Sequence, residues 1–413
     1  MGGSPVNAPQ RLPSSRVIAA ALRLTTETLT REVAAPSTAV PRWNDFEWGV
    51  ARAVCAMQGI GALLANHSGW QGPPAWIAFL HEQRNQGLAH FVRAGQILHQ
   101  LDVAMREAGI PCVALKGSAL RELGIHAPGE RPMGDIDVLV APRHLAASTA
   151  VLASIGYVPS YSTRRHETFI PADHEAAHAF AEHARNPLRI ELHTRIAECL
   201  PKTEVAITAQ LWPAQLLPGI NRYASRAALM RHLLLHTAGN MRAHAMRYIQ
   251  VYDIAQLARR LAPADWLELP GSQPRVDAWW MYPPMSLAAR YLPGCITPAA
   301  LAPFRAACPR WLRTRAESYD LYEVSWSNLR IGALPGCEWS RSPLELMRYA
   351  KQRVFPERVA LDELKVALHA QPAYTRVRWY GASHGERILR WLFSRPPRVQ
   401  TITSVRAALE DAA

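Results

Sequence analysis

The stretch Met133-Gly134-Asp135-Ile136-Asp137-Val138-Leu139-Val140 decides how this chain folds. Side chains in a strand alternate between two faces, so residues 135 and 137 point one way and 136, 138 and 140 the other. One face is then doubly acidic and the opposite face is wholly apolar. Two carboxylates that close repel each other unless solvent or a cation neutralises them. An edge strand with its polar side in water satisfies this pattern by itself, so its neighbours in the sequence carry the rest of the reading.

Upstream, Pro111-Cys112-Val113-Ala114-Leu115 is a short apolar run and reads as a buried strand. It ends in Lys116-Gly117-Ser118, and a short helix is predicted over 118–123 with Ser118 near its N-cap. A glycine there lets backbone approach phosphate oxygens, and the Ser118 hydroxyl can donate to an anion. Downstream, Pro142 opens a helix that runs to about Ser154 and stops at Gly156. A strand is expected within 157–170. After the turn Arg185-Asn186-Pro187, the segment 188–195 alternates as another strand and places Arg189, Glu191 and His193 on one face. If that strand lies beside 135–140, Glu191 adds a third carboxylate to the pair. Three carboxylates on adjacent strands suit a two-metal phosphoryl-transfer site, and hard oxygen ligands favour Mg²⁺ or Mn²⁺ over zinc. His193 is expected to be a satisfied structural histidine.

Helical patterns surround this region. Residues 16–33, 45–65 and 74–109 precede it, the last with Trp76, Phe79, Leu80, Ile97, Leu101 and Met105 close to helical spacing. From about 203 the chain reads as helical again, and 225–261 is its most periodic part. The expected organisation is a disordered segment 1–15, a helical region 16–109, an α/β core 110–202 and a helical region 203–413. The fold class is α+β: a small mixed β-sheet core embedded in a mostly helical chain.

Composition sets the outer bounds. The chain has 413 residues, 49% hydrophobic and 19% charged, as expected of a folded protein with more than one substructure. No run is long and apolar enough to predict a membrane span, and the first fifteen residues lack the apolar core of a secretory signal, so a cytoplasmic location is the expectation. Six cysteines with no C-x-x-C pair read as reduced thiols. The net charge of +13 favours polyanions, yet the arginines are scattered rather than clustered. Thirteen tryptophans sit mostly at helical core spacing and no RNA-binding motif is present, so nucleic acid is not the expected partner. Lysine is scarce, at positions 116, 202, 351 and 365 alone, which makes Lys116 informative.

Taken together, these residues resemble the polymerase-β-like nucleotidyltransferase superfamily. Within it the chain is similar to a bacterial group of uncharacterised nucleotidyltransferases. The resemblance is carried by Leu115-Lys116-Gly117, Arg131, Asp135-Ile136-Asp137-Val138-Leu139-Val140 and Ile190-Glu191-Leu192-His193, with the later helical stretch holding His236 and Asp253. It covers roughly 85–260. It implies a Mg²⁺- or Mn²⁺-dependent enzyme that moves a nucleoside monophosphate from an NTP, with ATP expected, to a hydroxyl or phosphate of an acceptor. Asp135, Asp137 and Glu191 would bind metal, with Glu191 also a candidate base for the acceptor. Gly117 and Ser118 would hold the triphosphate, and Lys116 and Arg131 would offset its charge. The acceptor is a small molecule, a peptide or a protein, and the group's setting points to natural-product biosynthesis. Sixteen residues separate Ser118 from Asp135, more than in minimal members of the superfamily, and the third acid is Glu where Asp is commoner.

Two other readings compete. His174-Glu175-Ala176-Ala177-His178 matches H-E-x-x-H, which on a helix presents two imidazoles to zinc with the glutamate as base and would make the chain a zinc metallohydrolase. Alternatively, the fold persists as a non-catalytic nucleotide-binding module. Against the module stands the electrostatic cost of retaining an unused acidic cluster.

Overall fold

A computed structural model describes residues 12–174, 180–183, 186–271, 274–358, 361–362, 365 and 378–411. It begins with helices α1 (Ser15–Ala34), α2 (Asp45–Gln58), α3 (Gly61–His67) and α4 (Pro74–Glu107). Asn44 and Glu47 cap α2 reciprocally, and the helix stops at Gly59, whose φ of 68° is a left-handed conformation that favours glycine. That stop divides the expected single helix 45–65 into α2 and α3. Of the expected disordered segment 1–15, residues 1–11 lie outside the described residues, while Ser14 caps α1 and Ser15 is its first residue.

The 34 residues of α4 span about 50 Å at 1.5 Å per residue. Their buried stripe recurs every three or four positions and serves two cores. Trp76, Phe79 and Leu80 join a large core shared with the other helices. Ala94, Ile97, Leu101 and Met105 pack under the sheet instead.

The sheet follows, with β1 (Pro111–Ala114), α5 (Gly117–Glu122), β2 (Asp135–Val140), α6 (Leu145–Ser154), β3 (Tyr157–Ser162), β4 (Glu167–Pro171) and β5 (Arg189–His193). A separate hairpin of β6 (Ala197–Leu200) and β7 (Thr203–Ala206) comes next, then a short helix α7 (Thr208–Leu211) and β8 (Gly219–Asn221). Six strands form one mixed sheet in the order β3-β4-β5-β2-β1-β8. The β2–β5 and β1–β8 pairs are parallel and the others antiparallel. Ile136, Val138, Val140, Ile190 and Leu192 share the buried core between the sheet, α4 and α6. Val113, Leu115 and Leu139 belong to the helical core on the other side, so the sheet lies between two layers and the acidic side of β2 faces the helices.

Helices α8 (Arg226–Arg242) and α9 (Tyr248–Ala258) cover that side, and further helices, including Pro343–Val354 and Val399–Glu410, continue the helical layer. The α+β reading holds, with a mixed sheet inside a mostly helical chain. Three local expectations change. The segment 157–170 forms a hairpin of two strands. The region after 203 is not helical from its start, because Thr203–Ala206 and Gly219–Asn221 are strands. The periodic stretch 225–261 is two helices, broken at 243–247 where Met246 bridges to Ser325. Among the described residues, no single helix is long and apolar enough to cross a membrane.

Candidate functional site

The pairing of β2 with β5 brings the acids together. The two strands run parallel with Asp135 opposite Arg189, Asp137 opposite Glu191, and Leu139 opposite His193. Register partners in a parallel pair project to the same face, so Asp135, Asp137, Glu191 and His193 share one side of the sheet. Asp137 is 4% exposed, while Asp135 opens to solvent at the strand's first position. Protein packed around Asp135, then the negative charges of Asp137 and Glu191, push its carboxyl up to about 6 against the opposing pull of Lys116 and Arg131.

Asp137 carries the tightest contacts. Its Oδ1 accepts from Lys116 Nζ at 2.8 Å and from His193 Nε2 at 2.8 Å. Burial works against its ionisation, but Lys116 and His193 outweigh it and hold this carboxyl well below the usual carboxylate range. The same contacts raise Lys116 and His193 above their ordinary values, although burial opposes both shifts. Asp137 is thus an anion held between the Lys116 ammonium and the His193 imidazole.

Lys116 reaches Asp137 because of its backbone. Its φ of 43° and ψ of −110° fall where glycine is favoured and lysine is strained. The Lys116 N–H donates to Tyr223 Oη at 3.0 Å, and Tyr223 Oη in turn lies 2.8 Å from His232 Nδ1. His232 is buried, and burial drives it well below its ordinary value. The strained turn is therefore tied by a tyrosine–histidine pair that sequence reading missed. Such a contact between residues 107 positions apart leaves no local pattern.

At this turn Lys116 is itself the residue before α5, and Gly117 and Ser118 open the helix. A Cβ on Gly117 would meet Arg131 Nη1 at 2.4 Å, so a larger residue here would displace the Arg131 head group. Ser118 is 4% exposed, and its hydroxyl has no hydrogen-bond partner among the described residues. Arg131 donates from Nε to both carboxyl oxygens of Asp253 at 3.0 Å, and Asp253 also meets His126 Nε2 at 2.8 Å. The long loop between α5 and β2 is pinned at three places. Glu130 accepts from Asn66 and approaches His67 at 3.0 Å, Gly129 lies against Gly87 of α4, and Arg131 is clamped on α9 through Asp253. That explains how sixteen intervening residues still deliver Asp135 to the site.

Lys116, Asp135, Glu191 and His193 line a cavity of about 160 Å³ together with His166, Arg165, Glu198, His232 and His236. A larger cavity of about 370 Å³, near Gly129 and Arg247, lies outside this group. Among the predicted residues, the structure thus brings Lys116, Asp135, Asp137 and Glu191 together with Gly117 and Ser118 at the adjoining turn, while the Arg131 head group is engaged by Asp253. His193 contacts Asp137 at 2.8 Å and stands 3.7 Å from Glu191. Oxygen donors on neighbouring strands and a buried hydroxyl without a protein partner fit a divalent cation with a phosphate chain.

The H-E-x-x-H segment is placed only in part. Glu175, Ala176, Ala177 and His178 lie outside the described residues. His174 is exposed and not helical, and its Nδ1 lies 3.0 Å from the carbonyl oxygen of Pro171.

Comparison with known families gives one match. A family described as uncharacterised nucleotidyltransferase matches residues 44–273, which takes in α2, the whole six-stranded sheet, the acidic cluster and α9. No curated protein and no solved structure matches the chain.

Proposed function

The chain belongs to the uncharacterised nucleotidyltransferase family, and from that membership we propose that it transfers a nucleoside monophosphate from an NTP to a hydroxyl or phosphate oxygen of an acceptor. The observation that carries the reading is the parallel register of Asp137 with Glu191, with Asp135 on the same face, beside the Lys116-Gly117-Ser118 turn. In the reaction an acceptor oxygen forms a bond to the α-phosphorus. The bond from that phosphorus to the bridging oxygen breaks, pyrophosphate leaves, and the acceptor's proton passes to a base.

Asp135, Asp137 and Glu191 would hold Mg²⁺ or Mn²⁺, which when bound supplies positive charge to the triphosphate and acidifies the acceptor hydroxyl. The chain's own groups do the rest. Lys116 and His193 keep Asp137 ionised at neutral pH. Gly117 leaves room for Arg131 beside the turn, and Ser118 Oγ donates to a phosphate oxygen. Lys116 adds a positive charge where the triphosphate would sit, and Arg131, held by Asp253, fixes the loop that carries Asp135. Glu191 is the candidate base for the acceptor proton. ATP is the proposed donor, and the acceptor is a small molecule or peptide of a biosynthetic pathway.

The test incubates the protein with each NTP, Mg²⁺ or Mn²⁺ and fractionated cell extract, and follows products by mass spectrometry. The reading expects an acceptor that gains the mass of one nucleoside monophosphate together with equimolar pyrophosphate. Nucleotide that binds but is recovered unchanged across all fractions would replace it with the binding-module reading.

A further inference from the structure

The antiparallel pairing of β4 with β5 builds a second cluster on the same face. Thr168 stands opposite Glu191, and His166, just before β4, lies beside His193, so His166, Thr168, Glu191 and His193 cluster on one side of the sheet. The imidazole rings of His166 and His193 have centroids 5.1 Å apart. His166 Nε2 lies 3.6 Å from Glu191 Oε1, and His193 Nε2 lies 3.7 Å from Glu191 Oε2. These separations are too long for hydrogen bonds. They are close to the roughly 3.3 Å between two ligands of a tetrahedral metal with bonds of about 2 Å. The three donor groups each offer an atom within 4.8 Å of the others.

Two further atoms point the same way. His166 Nε2 is buried and has no hydrogen-bond partner among the described residues, although it faces a carboxylate. Thr168, 1% exposed and directly opposite Glu191, has a buried hydroxyl that is also without a partner among the described residues. Unsatisfied polar atoms of this kind are costly unless something else completes them. An ion bound by the three groups would give His166 Nε2 a partner.

We infer that His166, Glu191 and His193 form a binding site for a divalent transition-metal ion, separate from the Asp135–Asp137 pair. Two imidazoles and one carboxylate are a donor set for Zn²⁺, Co²⁺ or Mn²⁺ rather than Mg²⁺. When His193 ligates, its Nε2 proton is released to solvent, and Lys116 remains on Asp137 to balance that charge. All three ligands line the 160 Å³ cavity, so the remaining coordination positions are open to water or to a substrate oxygen. Glu191 is then shared between this ion and the ion that Asp135 and Asp137 hold with the phosphates. The site does not depend on the transferase reading.

The experiment titrates the metal-free full-length protein with Co²⁺ in the absence of nucleotide and reads the visible absorption of the bound ion. Wild type should bind one equivalent with nitrogen-ligand absorption. His166→Ala and His166→Gln should weaken binding at least tenfold, with unchanged circular dichroism, and Asp135→Asn should bind within about twofold of wild type. Undiminished Co²⁺ binding in both His166 variants would overturn the site, as would a loss of binding in Asp135→Asn as large as in His166→Ala. Nucleotidyl transfer is read separately from pyrophosphate, so either assignment can fail without the other.

Discussion

Lys116 Nζ and Asp137 Oδ1 lie 2.8 Å apart in a nearly buried ion pair, and the lysine reaches that position through a backbone conformation suited to glycine. Side chain and backbone therefore pull in opposite directions at this residue, and substitutions can separate them. Lys116→Ala breaks a buried pair and should destabilise the protein by about 3–5 kcal/mol in denaturant titration. Lys116→Gly loses the same amine but relaxes the strained φ, so it should be about 1 kcal/mol less destabilising than the alanine variant. Both should lower transfer activity by a factor of 100 or more. An alanine variant as stable as the glycine variant would show that the turn is not strained.

Ser118 offers a cleaner separation of binding from stability. Its hydroxyl has no protein partner to lose, so Ser118→Ala should leave the thermal midpoint of the nucleotide-free protein unchanged or slightly raised. If the hydroxyl meets a phosphate, the same variant should raise KM for the NTP roughly three- to tenfold, in line with one hydrogen bond of about 1 kcal/mol. Unchanged KM would remove Ser118 from the phosphate contacts.

Asp253 holds Arg131 and His126 from α9, and its removal should loosen the loop that carries Asp135. Burial works against its charge, but Arg131 and His126 prevail and its carboxyl is held below the ordinary value. Asp253→Asn should cost about 3 kcal/mol at pH 7 by leaving Arg131 without its counter-charge. A carboxyl depressed on folding contributes stability above the unfolded value near 3.9 and loses it as the pH falls further. Urea titrations of wild type and variant should therefore converge below about pH 4. A constant gap down to pH 2 would contradict the ion-pair account.

His236 gives the opposite handle, on the neutral side. Burial, and after it Lys116, hold its imidazole down at about 3, and Asn240 Nδ2 lies 3.2 Å from its Nε2. The unfolded chain takes up a proton near pH 6.5 that the folded chain refuses, so this group costs stability as the pH drops below that value. The cost is about 1.4 kcal/mol per pH unit, or about 2 kcal/mol at pH 5. His236→Gln should therefore lose less stability than wild type between pH 7 and pH 5. Parallel losses would mean that His236 is protonated in the folded protein.

The parts legible in the sequence are those set by local pattern. The alternation of residues 135–140 and 188–195 located β2 and β5 and the face they share, because period-two patterning is imposed by the pleat itself. The helix stop at Gly59 and the strands Thr203–Ala206 and Gly219–Asn221 were not legible. These strands are three and four residues long and owe their form to pairing partners, β8 to β1 and β7 to β6, rather than to their own periodicity. At the site, the three acids and Lys116-Gly117-Ser118 stood out because their residue types are costly unless used. Tyr223, His232 and the Asp253 clamp did not, since each acts through a contact more than 100 positions away in the chain or through a buried histidine of ordinary composition. The place of His166 beside Glu191 was not legible either. Its pairing with Glu191 follows from the β4–β5 register, which no spacing in the sequence discloses.

The most direct measurement of the central claim uses α-³²P-labelled NTPs. Wild-type protein and Asp135→Ala/Asp137→Ala are incubated in parallel with each labelled nucleotide, Mg²⁺ or Mn²⁺ and cell extract, and label is followed onto the acceptor fraction. The acidic cluster predicts that one nucleotide labels an acceptor with wild type and that the double variant leaves it unlabelled. Equal labelling by the two proteins would contradict the assignment of this face of the sheet as the place where nucleotidyl transfer occurs.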